Sequence, residues 1–437
     1  MPRPRTRIPL NVFLNGRLVG QLRRQSSGAI DFQYDDDWLG WEQAFPVSLS
    51  MPLREDRFIG DPVIAVFDNL LPDNDQIRRR LAERVRAGGS DAYSLLAAVG
   101  RDCVGALQFL PEGMDPGAAG SLEGRPLEDA DIAAMLGDLR RAPLGLDEEG
   151  EFRISLAGAQ EKTALLHWRD QWQVPHGATA TTHILKPEIG RLPNGIDLSQ
   201  SIENEHLCMR QTAAFGLPAA RTEIAEFSGR RALVIERFDR LWTRDGRLLR
   251  LPQEDGCQAL SVPPTRKYEP DGGPGMRQIL ELLKASDEPE ADQRTFLKAQ
   301  IVFWLLGATD GHAKNFSVFL LPGGRFRLTP LYDVMSAQPN VDAGQIRHNR
   351  VKLAMVVGDN RHYVIDEILP RHFLQTAGSA GVPASLVQGI LDEIQRDADR
   401  AIDAAVTGLL PGFPEEIVAS VVDGIRRRVV LFAQAAA

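Results

Sequence analysis

Two aspartates and an asparagine in the last third of the sequence have the types and spacing that phosphoryl transfer requires. Asp310 is followed by Asn315 after four intervening residues, and Asp333 lies further along the chain. A carboxylate can accept the proton of an attacking hydroxyl, and carboxylate and amide oxygens can bind Mg²⁺, which offsets the charge of the phosphates. The spacing is that of a kinase catalytic loop and its metal-binding aspartate. It predicts Asp310 as the base and Asn315 and Asp333 as magnesium ligands.

The segments around these residues predict a helix, a loop and a hairpin. Ile301–Leu306 is an apolar run typical of a buried helix. Phe316–Leu321 and Phe326–Leu328 are short apolar runs separated by a Pro-Gly-Gly turn, which predicts a β-hairpin. A tight loop before the hairpin can hold Asp310, and the hairpin then carries Asp333 to the same metals. The alternative is a surface loop in which Asp310 is a cap and Asp333 a turn residue.

Composition sets the class of protein. The chain has 437 residues, 43% hydrophobic and 25% charged, which indicates a globular protein with more than one domain. The net charge of −9 argues against strong autonomous binding of nucleic acid. Cys103, Cys208 and Cys257 fit no zinc or redox spacing and are expected to be reduced thiols. No apolar run approaches the ~18 residues of a membrane helix, and no signal peptide is evident, so a cytoplasmic location is expected.

The first 110 residues are predicted to mix strands and helices. Asn15-Gly16 between two apolar runs is the signal of a two-residue hairpin. The acidic and apolar segment Phe67–Asp73 is interpreted as helix-end packing and capping. Pro111–Arg125, rich in Gly, Pro and Ala, is the predicted linker. Further elements are expected as follows: strand Ala29–Tyr34 and helices Val63–Leu71, Gln76–Arg86, Asp91–Val99 and Glu128–Arg141.

A candidate phosphate loop follows the linker. Ala157–Lys162 is a small-residue turn between the predicted strands Phe152–Leu156 and Thr163–Trp168, and a further strand, His183–Lys186, ends in a lysine. Small side chains let backbone N–H groups approach phosphates, and a lysine on a following strand can hold the α- and β-phosphates. The loop has a single glycine, and Lys186 alone is more often a solvated strand-end residue. In combination with Asp310, both features favour an ATP site.

A helix and a strand complete the expected nucleotide lobe. The helix Ser199–Phe215 offers Glu203 and Glu205 as partners for the lysine, and Glu205 is favoured. The strand Arg231–Glu236 leads into Glu236–Phe238, where a kinase hinge would read the adenine edge; the alternative there is a strand end with a salt-bridge cluster.

The remainder is expected to be a large lobe that is mostly helical from about Glu290. His312 is interpreted as a phosphate or structural contact, because it has no partner at metal spacing. Two irregular segments and four helices are expected in this part: segments Arg250–Asp255 and Lys267–Pro274, and helices Gln293–Leu306, Pro370–Ala377, Ser385–Thr407 and Pro414–Ala433.

Long motifs along nearly the whole chain resemble the HipA family, the serine/threonine-kinase toxins of bacterial HipBA toxin–antitoxin modules. The motifs are FDNLLPD (67–73), FRISLAGAQEKTAL (152–165), THILKP (182–187), VIERFDR (234–240), LRLPQEDGCQ (249–258), YEPDGGPG (268–275), GATDGHAKNFSVF (307–319) and LTPLYDV (328–334).

The resemblance implies an α/β, protein-kinase-like fold with a β-rich small lobe, a helical large lobe, and ATP and Mg²⁺ as cofactors. The corresponding segments are 1–115 for the N-terminal domain, 125–290 for the kinase core and 291–437 for the helical lobe. It implies Asp310 as the catalytic base and Asn315 and Asp333 as the metal ligands. The ATP-binding residues implied by the resemblance are Ala157, Gly158, Ala159, Gln160, Glu161, Lys162, Lys186, Glu236, Arg237, Phe238, His312, Ala313, Lys314, Asn315, Tyr332 and Asp333.

Regulation and partners are also implied by the resemblance. HipA proteins inactivate themselves by phosphorylating a serine before the loop, which is Ser155 here, and the added phosphate would be displaced toward water or toward Lys186 or Arg240. The family partner is a dimeric helix-turn-helix antitoxin, HipB, through which operator DNA is mainly reached and the operon repressed. The best-known substrate of the family is glutamyl-tRNA synthetase. Arg426–Arg428 is a candidate basic patch for any direct contact with DNA.

Two alternatives stay open at the level of the sequence. A small-molecule kinase of the aminoglycoside- or lipid-phosphorylating type shares the acid and metal chemistry. A non-catalytic co-repressor would tolerate the loss of Asp310 or Asp333, and both are present.

Overall fold

The hairpin predicted at Asn15-Gly16 opens the fold. The structure, a computed structural model, describes residues 8–146 and 154–434. Strands β1 (Leu10–Leu14) and β2 (Arg17–Arg24) pair antiparallel, and Asn15 and Gly16 have φ of 45° and 81°. A two-residue turn between twisted strands requires positive φ at these positions, so the predicted hairpin is confirmed.

Helices and strands alternate irregularly in the first part of the chain. After β2 the elements are β3 (Ile30–Tyr34), α1 (Asp36–Leu39), β4 (Phe58–Ile59), α2 (Asp61–Asp68), α3 (Asp75–Arg84), α4 (Ala92–Val99), β5 (Leu107–Pro111), β6 (Gly124–Pro126), α5 (Asp129–Asp138), β7 (Thr163–Trp168), β8 (Gln171–Pro175), β9 (His183–Lys186), β10 (Gly190–Arg191), β11 (Asp197–Leu198), α6 (Ser201–Ala214), β12 (Thr222–Phe227), β13 (Arg230–Glu236), β14 (Arg240–Trp242), β15 (Leu248–Arg250), β16 (Gln253–Asp255) and α7 (Gly256–Ala259).

Helices predominate in the rest. These elements are α8 (Met276–Leu283), α9 (Pro289–Leu306), β17 (Ser317–Leu321), β18 (Arg325–Leu328), α10 (Gln338–Asp342), β19 (Lys352–Val357), β20 (His362–Val364), α11 (Pro370–Ser379), α12 (Ala384–Val406) and α13 (Glu415–Val429). The predicted helices and strands in both parts are confirmed with shifts of a few residues at their ends. The predicted strand Phe152–Leu156 lies partly outside the described residues; within them, Ile154 forms an isolated bridge to Asp102, and Ser155 and Leu156 are not in a strand.

Contacts group the chain into two units. The first contains the described residues of Met1–Pro187, Ala225–Thr265 and Val318–Phe326. The second contains the described residues of Glu188–Ile224, Arg266–Ser317 and Arg327–Ala437. Each unit is therefore assembled from separate stretches of sequence.

Two sheets form the frame of the first unit. One has the strand order β4-β3-β2-β1-β5, and its core includes Phe32, Phe67 and Phe109, whose ring centroids are 5.5 and 5.4 Å apart in turn. The other has the order β12-β13-β9-β7-β8-β6, with α5 packed against it through a cluster that includes Leu136 and Leu185. The predicted linker Pro111–Arg125 connects the two sheets. This frame holds the candidate phosphate loop.

One segment differs from its prediction. Arg250–Asp255 was expected to be irregular and to belong to the large lobe, and this is wrong. It belongs to the first unit, where Arg250 ends β15 and Gln253–Asp255 forms β16. The physical reason is burial of Arg250, whose guanidinium contacts Asp102 and so draws the segment into the interior.

The second unit has a helical core. The apolar helix α9 packs against α12 and α13, and the indole N–H of Trp304 donates to the Ile365 carbonyl at 3.0 Å. The sequence interpretation missed α8 and the hairpin β19–β20. Lys352–Val357 is a short apolar run, and such runs fit a buried helix segment or a strand equally well.

The cysteines are buried thiols. Cys103, Cys208 and Cys257 form no disulfide in the part of the chain that the structure describes, which agrees with the prediction of reduced thiols. Burial raises the pKa of the Cys103 and Cys208 thiols to about 12, so both are protonated at neutral pH. None of the helices in residues 8–146 and 154–434 has the length and hydropathy needed to cross a membrane.

A buried carboxyl in β16 predicts a pH dependence of stability. Glu254 accepts the N–H of Leu49 at 2.7 Å, and burial raises the pKa of its carboxyl to about 8. A glutamate in an unfolded chain titrates near about 4.3. The native state therefore holds the extra proton between those values, so this contribution is complete at low pH and is lost as the pH rises through the folded pKa.

Glu254→Gln keeps an acceptor for the Leu49 N–H and removes the titration. We expect its free energy of unfolding to decline less between about pH 5 and about pH 9 than that of the wild type. Urea unfolding at both pH values measures the difference, with substitution of the exposed Glu83 on α3, Glu83→Gln, as the control. If the free energy of unfolding falls equally with pH in Glu254→Gln and the wild type, the prediction is contradicted.

Candidate active site

The Asp310 loop is closed by hydrogen bonds to its own backbone. α9 ends at Gly307 in a left-handed conformation with φ of 68°. The Asp310 carbonyl then accepts the His312 N–H at 2.8 Å and the Asn315 side-chain N–H at 2.6 Å. His312 and Asn315 are buried, whereas the Asp310 side chain is 54% exposed. The loop therefore presents its carboxylate outward from a fixed backbone, and the alternative role of Asp310 as a helix cap is not observed.

The Asp333 segment is joined to this loop by a tyrosine. The Tyr332 hydroxyl donates to the Lys314 carbonyl at 2.7 Å and lies 2.6 Å from the Ser317 hydroxyl. Asp333 itself has φ of 61°, which is uncommon outside glycine and tolerated best by Asp and Asn. Such backbone conformations persist where the surrounding structure fixes them. Asp333, which follows the predicted hairpin β17–β18, thus has a constrained backbone, and its neighbour Tyr332 is bonded to the loop.

The donor set suits a magnesium ion bound together with phosphates. The Asn315 amide nitrogen is engaged with the Asp310 carbonyl, so Oδ1 is the amide atom with which Asn315 can ligate. The described residues contain no group of three or more His, Cys, Asp or Glu side chains that could cage a metal. Mg²⁺ commonly uses one or two protein ligands and completes its shell with phosphate and water. Asn315 and Asp333 fit that mode, and their role as ligands stays a prediction.

The candidate phosphate loop in the first unit closes around a lysine. The Lys162 ammonium donates to the Ala157 carbonyl at 2.8 Å. Gly158 has φ of 104°, and a Cβ there would lie 2.6 Å from the Lys162 Nζ. Only glycine satisfies both conditions without a shift of the lysine. The single glycine of the loop is therefore placed where a side chain is least tolerated.

The segment Leu70–Asp73 anchors this loop. The Ser155 hydroxyl donates to the Leu70 carbonyl at 2.7 Å, and the Asp73 N–H donates to the Gly158 carbonyl at 3.0 Å. The Ser155 N–H donates to the Asp102 carbonyl at 2.9 Å, and Ser155 is fully buried. Interpretation of the sequence as helix-end packing missed this contact, since 85 residues separate Ser155 from Leu70.

Lys186 lies next to the loop but is not a solvated residue. β7 and β9 pair antiparallel with Thr163 opposite Leu185, so the end of the loop adjoins the end of β9 that carries Lys186. The Gln160 side-chain N–H donates to the Pro187 carbonyl at 3.2 Å. Lys186 is only 4% exposed. The alternative of a solvated strand-end lysine is therefore wrong, because β9 runs through the interior of its sheet.

The proposed acidic partners of Lys186 lie on α6. Glu203 and Glu205 are both buried there. Because burial is equal for the two, it does not distinguish them, and the choice of Glu205 stays a prediction.

The hinge segment has a buried side chain at its centre. Glu236 ends β13 opposite His183, and the next N–H, that of Arg237, donates to the Thr182 carbonyl at 2.9 Å. The Arg237 guanidinium points into the interior, where it donates to Asp239 at 2.7 and 2.9 Å. The backbone N–H and side chain of Arg237 are therefore engaged within the protein, and the hinge role of Glu236–Phe238 stays a prediction.

A buried ionic network surrounds that arginine, so the alternative of a salt-bridge cluster describes the side chains correctly. Arg240 and Arg250 both donate to Asp102 Oδ1, at 2.9 and 2.8 Å. Arg240 also lies 3.1 Å from Asp239. The expectation that Arg240 could receive a phosphate on Ser155 conflicts with these contacts, since Arg240 would first have to leave two buried carboxylates.

The C-terminal basic run is not a continuous surface patch. Arg428 is buried and donates to the Leu305 carbonyl at 2.9 Å and to Gln338 at 2.7 Å. Burial lowers the pKa of its guanidinium to about 10. Arg426 and Arg427 are exposed. The candidate DNA contact at Arg426–Arg428 is therefore reduced to two side chains, because the third supports the helix packing.

Comparison with known proteins agrees with a kinase-like α/β fold. The chain matches a chain of the solved complex of HipA, HipB and operator DNA from Shewanella oneidensis MR-1 with a TM-score of 0.81 and 24% sequence identity, covering 98% of this chain and 99% of that one. At this identity the match establishes the fold.

The chain belongs to the HipA family. A model of the HipA-like C-terminal domain matches residues 154–402, and a model of the HipA N-terminal domain matches residues 10–110. The putative kinase Y4mE of Sinorhizobium fredii is 38% identical over 383 residues, which cover 87% of each chain. The serine/threonine-protein kinase toxin HipA of Shewanella oneidensis is 27% identical over 422 residues, 94% of this chain and 92% of that one.

Proposed function

We propose that this chain is an ATP- and Mg²⁺-dependent serine/threonine protein kinase that acts as the toxin of a toxin–antitoxin module. The observation that carries the proposal is the Tyr332 hydroxyl bond to the Lys314 carbonyl, at 2.7 Å, which joins the loop of Asp310 and Asn315 to the Asp333 turn. The base and both predicted ligands thereby belong to one constrained structure. The name of the Shewanella relative, a serine/threonine-protein kinase toxin, supports the same reading.

The residues have complementary roles in the proposed reaction. ATP supplies the phosphoryl group, and Mg²⁺ offsets the charge that develops on it. Asp310 accepts the proton of the substrate hydroxyl, Asn315 and Asp333 hold the metal, and Lys186 holds the phosphates. Backbone N–H groups of the Ala157–Lys162 loop orient the phosphates, and the backbone of Glu236–Phe238 receives the adenine. His312, Ala313, Lys314 and Tyr332 line the nucleotide site.

The partners follow from the family. A HipB-like helix-turn-helix dimer is the proposed antitoxin, and operator DNA is reached mainly through it; the solved relative is a complex of HipA, HipB and operator DNA. The net charge of −9 supports a mode of binding in which the antitoxin makes most of the contacts with DNA. Glutamyl-tRNA synthetase is the proposed substrate, and its phosphorylation would arrest growth and promote persistence. Phosphoproteomics after expression of the wild type beside Asp310→Asn tests the substrate.

The proposed kinase activity is tested by incubating the protein with Mg-ATP and looking for phosphate on Ser155. Incubation with Mg-ATP should add one phosphate at Ser155, and the product should bind ATP poorly. Ser155 is fully buried with its hydroxyl on the Leu70 carbonyl, so a group carrying about −1.5 to −2 charges has no place there and must displace the loop. Displacement removes the backbone donors on which phosphate binding depends. Intact mass, peptide mapping and calorimetry with a non-hydrolysable ATP analogue measure both effects.

Ser155→Ala provides the control for self-inactivation. It should stay active for longer than the wild type under the same incubation, unless loss of the bond to Leu70 releases the loop as well. Phosphate found only at other residues, or a Ser155-phosphorylated form that binds the analogue as tightly as the unmodified protein, would refute the inhibitory role.

A further inference from the structure

A tyrosine outside the catalytic loop contacts the predicted base. The Tyr268 hydroxyl donates to Asp310 Oδ1 across 42 residues of sequence, and both residues belong to the second unit. On the other side, His312 Nε2 lies 3.7 Å from the same Oδ1. Both neighbours are therefore on one oxygen of a carboxylate that is otherwise substantially exposed.

The backbone of Tyr268 is held firmly. Its carbonyl accepts the N–H groups of Asp271 and Gly273 at 3.1 and 2.9 Å. A Cβ on Gly273 would lie 2.0 Å from the Arg266 carbonyl, so the turn closes only with glycine at that position. The next residue, Glu269, accepts the Val356 N–H at 2.7 Å and thereby fastens the turn to β19.

The ring of Tyr268 is also supported. It meets the imidazole of His312 edge-on, with ring centroids 4.9 Å apart. The Lys267 ammonium lies over the same ring, 5.4 Å from its centroid. These contacts fix the direction of the phenolic O–H toward Asp310, because neither the ring nor its backbone can rotate without breaking them.

We propose that Tyr268 is the positioning residue of the base: its hydroxyl fixes Asp310 Oδ1 and leaves Oδ2 to accept the proton of the substrate hydroxyl. This rests on the proposed kinase function. A base contributes to the rate only when its acceptor atom is aligned with the proton it removes, and a carboxylate on an exposed loop rotates unless one oxygen is held. Tyr268 supplies that restraint from a turn that lies outside the loop.

The competing possibility is that the phenol occupies the place of the substrate hydroxyl and has to leave before each reaction. The fixed backbone and the His312 contact argue against a moving gate. The two possibilities predict opposite changes in the rate of phosphoryl transfer when the hydroxyl is removed. Removal of a gate speeds the reaction, whereas removal of a positioning bond slows it.

Tyr268→Phe separates them. It retains the ring against His312 and removes the hydroxyl, so we expect the maximal rate of phosphoryl transfer to fall about 10-fold, with the half-saturating ATP concentration and the affinity for a non-hydrolysable analogue unchanged. The rate is followed by intact mass during the first turnover of self-phosphorylation and with dephosphorylated casein as a second acceptor. Tyr93→Phe is the control, because it also removes a phenolic hydroxyl, one that donates to the Ile8 carbonyl in the first unit rather than to a residue of the second.

Each outcome is decisive. A wild type and a Tyr93→Phe variant that transfer no phosphate would refute the proposed function itself. If both are active, a Tyr268→Phe rate equal to or above that of the wild type overturns the positioning role, and a higher rate establishes a gate. Loss of analogue binding in Tyr268→Phe would also overturn it, since the effect would then be on the structure of the site.

Discussion

Asp310→Asn is expected to slow phosphoryl transfer by about 10²- to 10⁴-fold, the range over which a positioned general base contributes. The substitution keeps the backbone carbonyl that accepts the His312 and Asn315 hydrogen bonds, and the amide oxygen can still accept the Tyr268 hydroxyl. The loop should therefore stay folded while the acceptor of the proton is lost. First-turnover kinetics with Mg-ATP measure the rate, and calorimetry with the ATP analogue confirms that the site is intact.

Asp333→Asn is the companion variant, because asparagine also tolerates the left-handed backbone at φ of 61° and removes only the charge. It should lose activity together with the ability of added Mg²⁺ to strengthen analogue binding. Asp366→Asn is the matched control: its carboxyl, 54% exposed like that of Asp310, lies 3.5 Å from His348. Near-normal transfer by Asp310→Asn would refute its assignment as the base.

The parts of the site that the sequence predicted are those fixed by neighbours along the chain. The Asp310 loop, its Gly307 helix end and the hairpin that follows are set by apolar runs and turn residues within about two dozen positions. The turn at Asn15-Gly16 and the strand that ends at Lys186 are local in the same sense. Elements of this kind are legible because propensity and pattern point to the same structure.

The parts that it missed depend on contacts between distant residues. Tyr268 meets Asp310 across 42 positions, and Ser155 meets Leu70 across 85. No periodicity or spacing encodes such a pairing. The burial of Lys186 was missed for a related reason: a lysine at the end of a strand is expected to reach water, and only the sheet order, with β9 between β13 and β7, shows that it does not.

The buried ionic network is the clearest case of a long-range feature with a large consequence. Asp102, Asp239, Arg237, Arg240 and Arg250 are all buried in the first unit, so three guanidiniums share two carboxylates. Asp102 accepts hydrogen bonds on both carboxylate oxygens: Oδ1 accepts from Arg240 and Arg250, and Oδ2 accepts the Thr181 hydroxyl at 2.7 Å. Burial alone would raise the pKa of the Asp102 carboxyl, but the guanidiniums outweigh it and hold that pKa well below its usual range.

Asp102→Asn is therefore expected to lower the free energy of unfolding by about 3–5 kcal/mol near neutral pH, the cost of removing one partner from a buried ion pair. The variant leaves three buried guanidiniums with one carboxylate. The pKa of Asp102 is depressed in the folded state, so its stabilisation is complete above the unfolded pKa, about 3.9, and is lost as the pH falls toward the folded value. The difference in free energy of unfolding between the wild type and the variant should accordingly become smaller at acid pH. Urea unfolding at about pH 7 and about pH 3 measures both quantities.

Asp245→Asn is the control for this prediction, since Asp245 pairs with Arg247 at 2.8 Å on the surface of the same unit and its loss should change stability little. If Asp102→Asn changes the free energy of unfolding as little as Asp245→Asn does, the buried network does not stabilise the fold as predicted. A large effect has a further consequence for the site, because the Asp102 backbone receives the Ser155 N–H and the Asp102 side chain lies 3.5 Å from the Arg237 guanidinium. The same residue thus contacts both the candidate phosphate loop and the predicted hinge segment. A variant that loosens it should therefore weaken binding of the ATP analogue in parallel with stability.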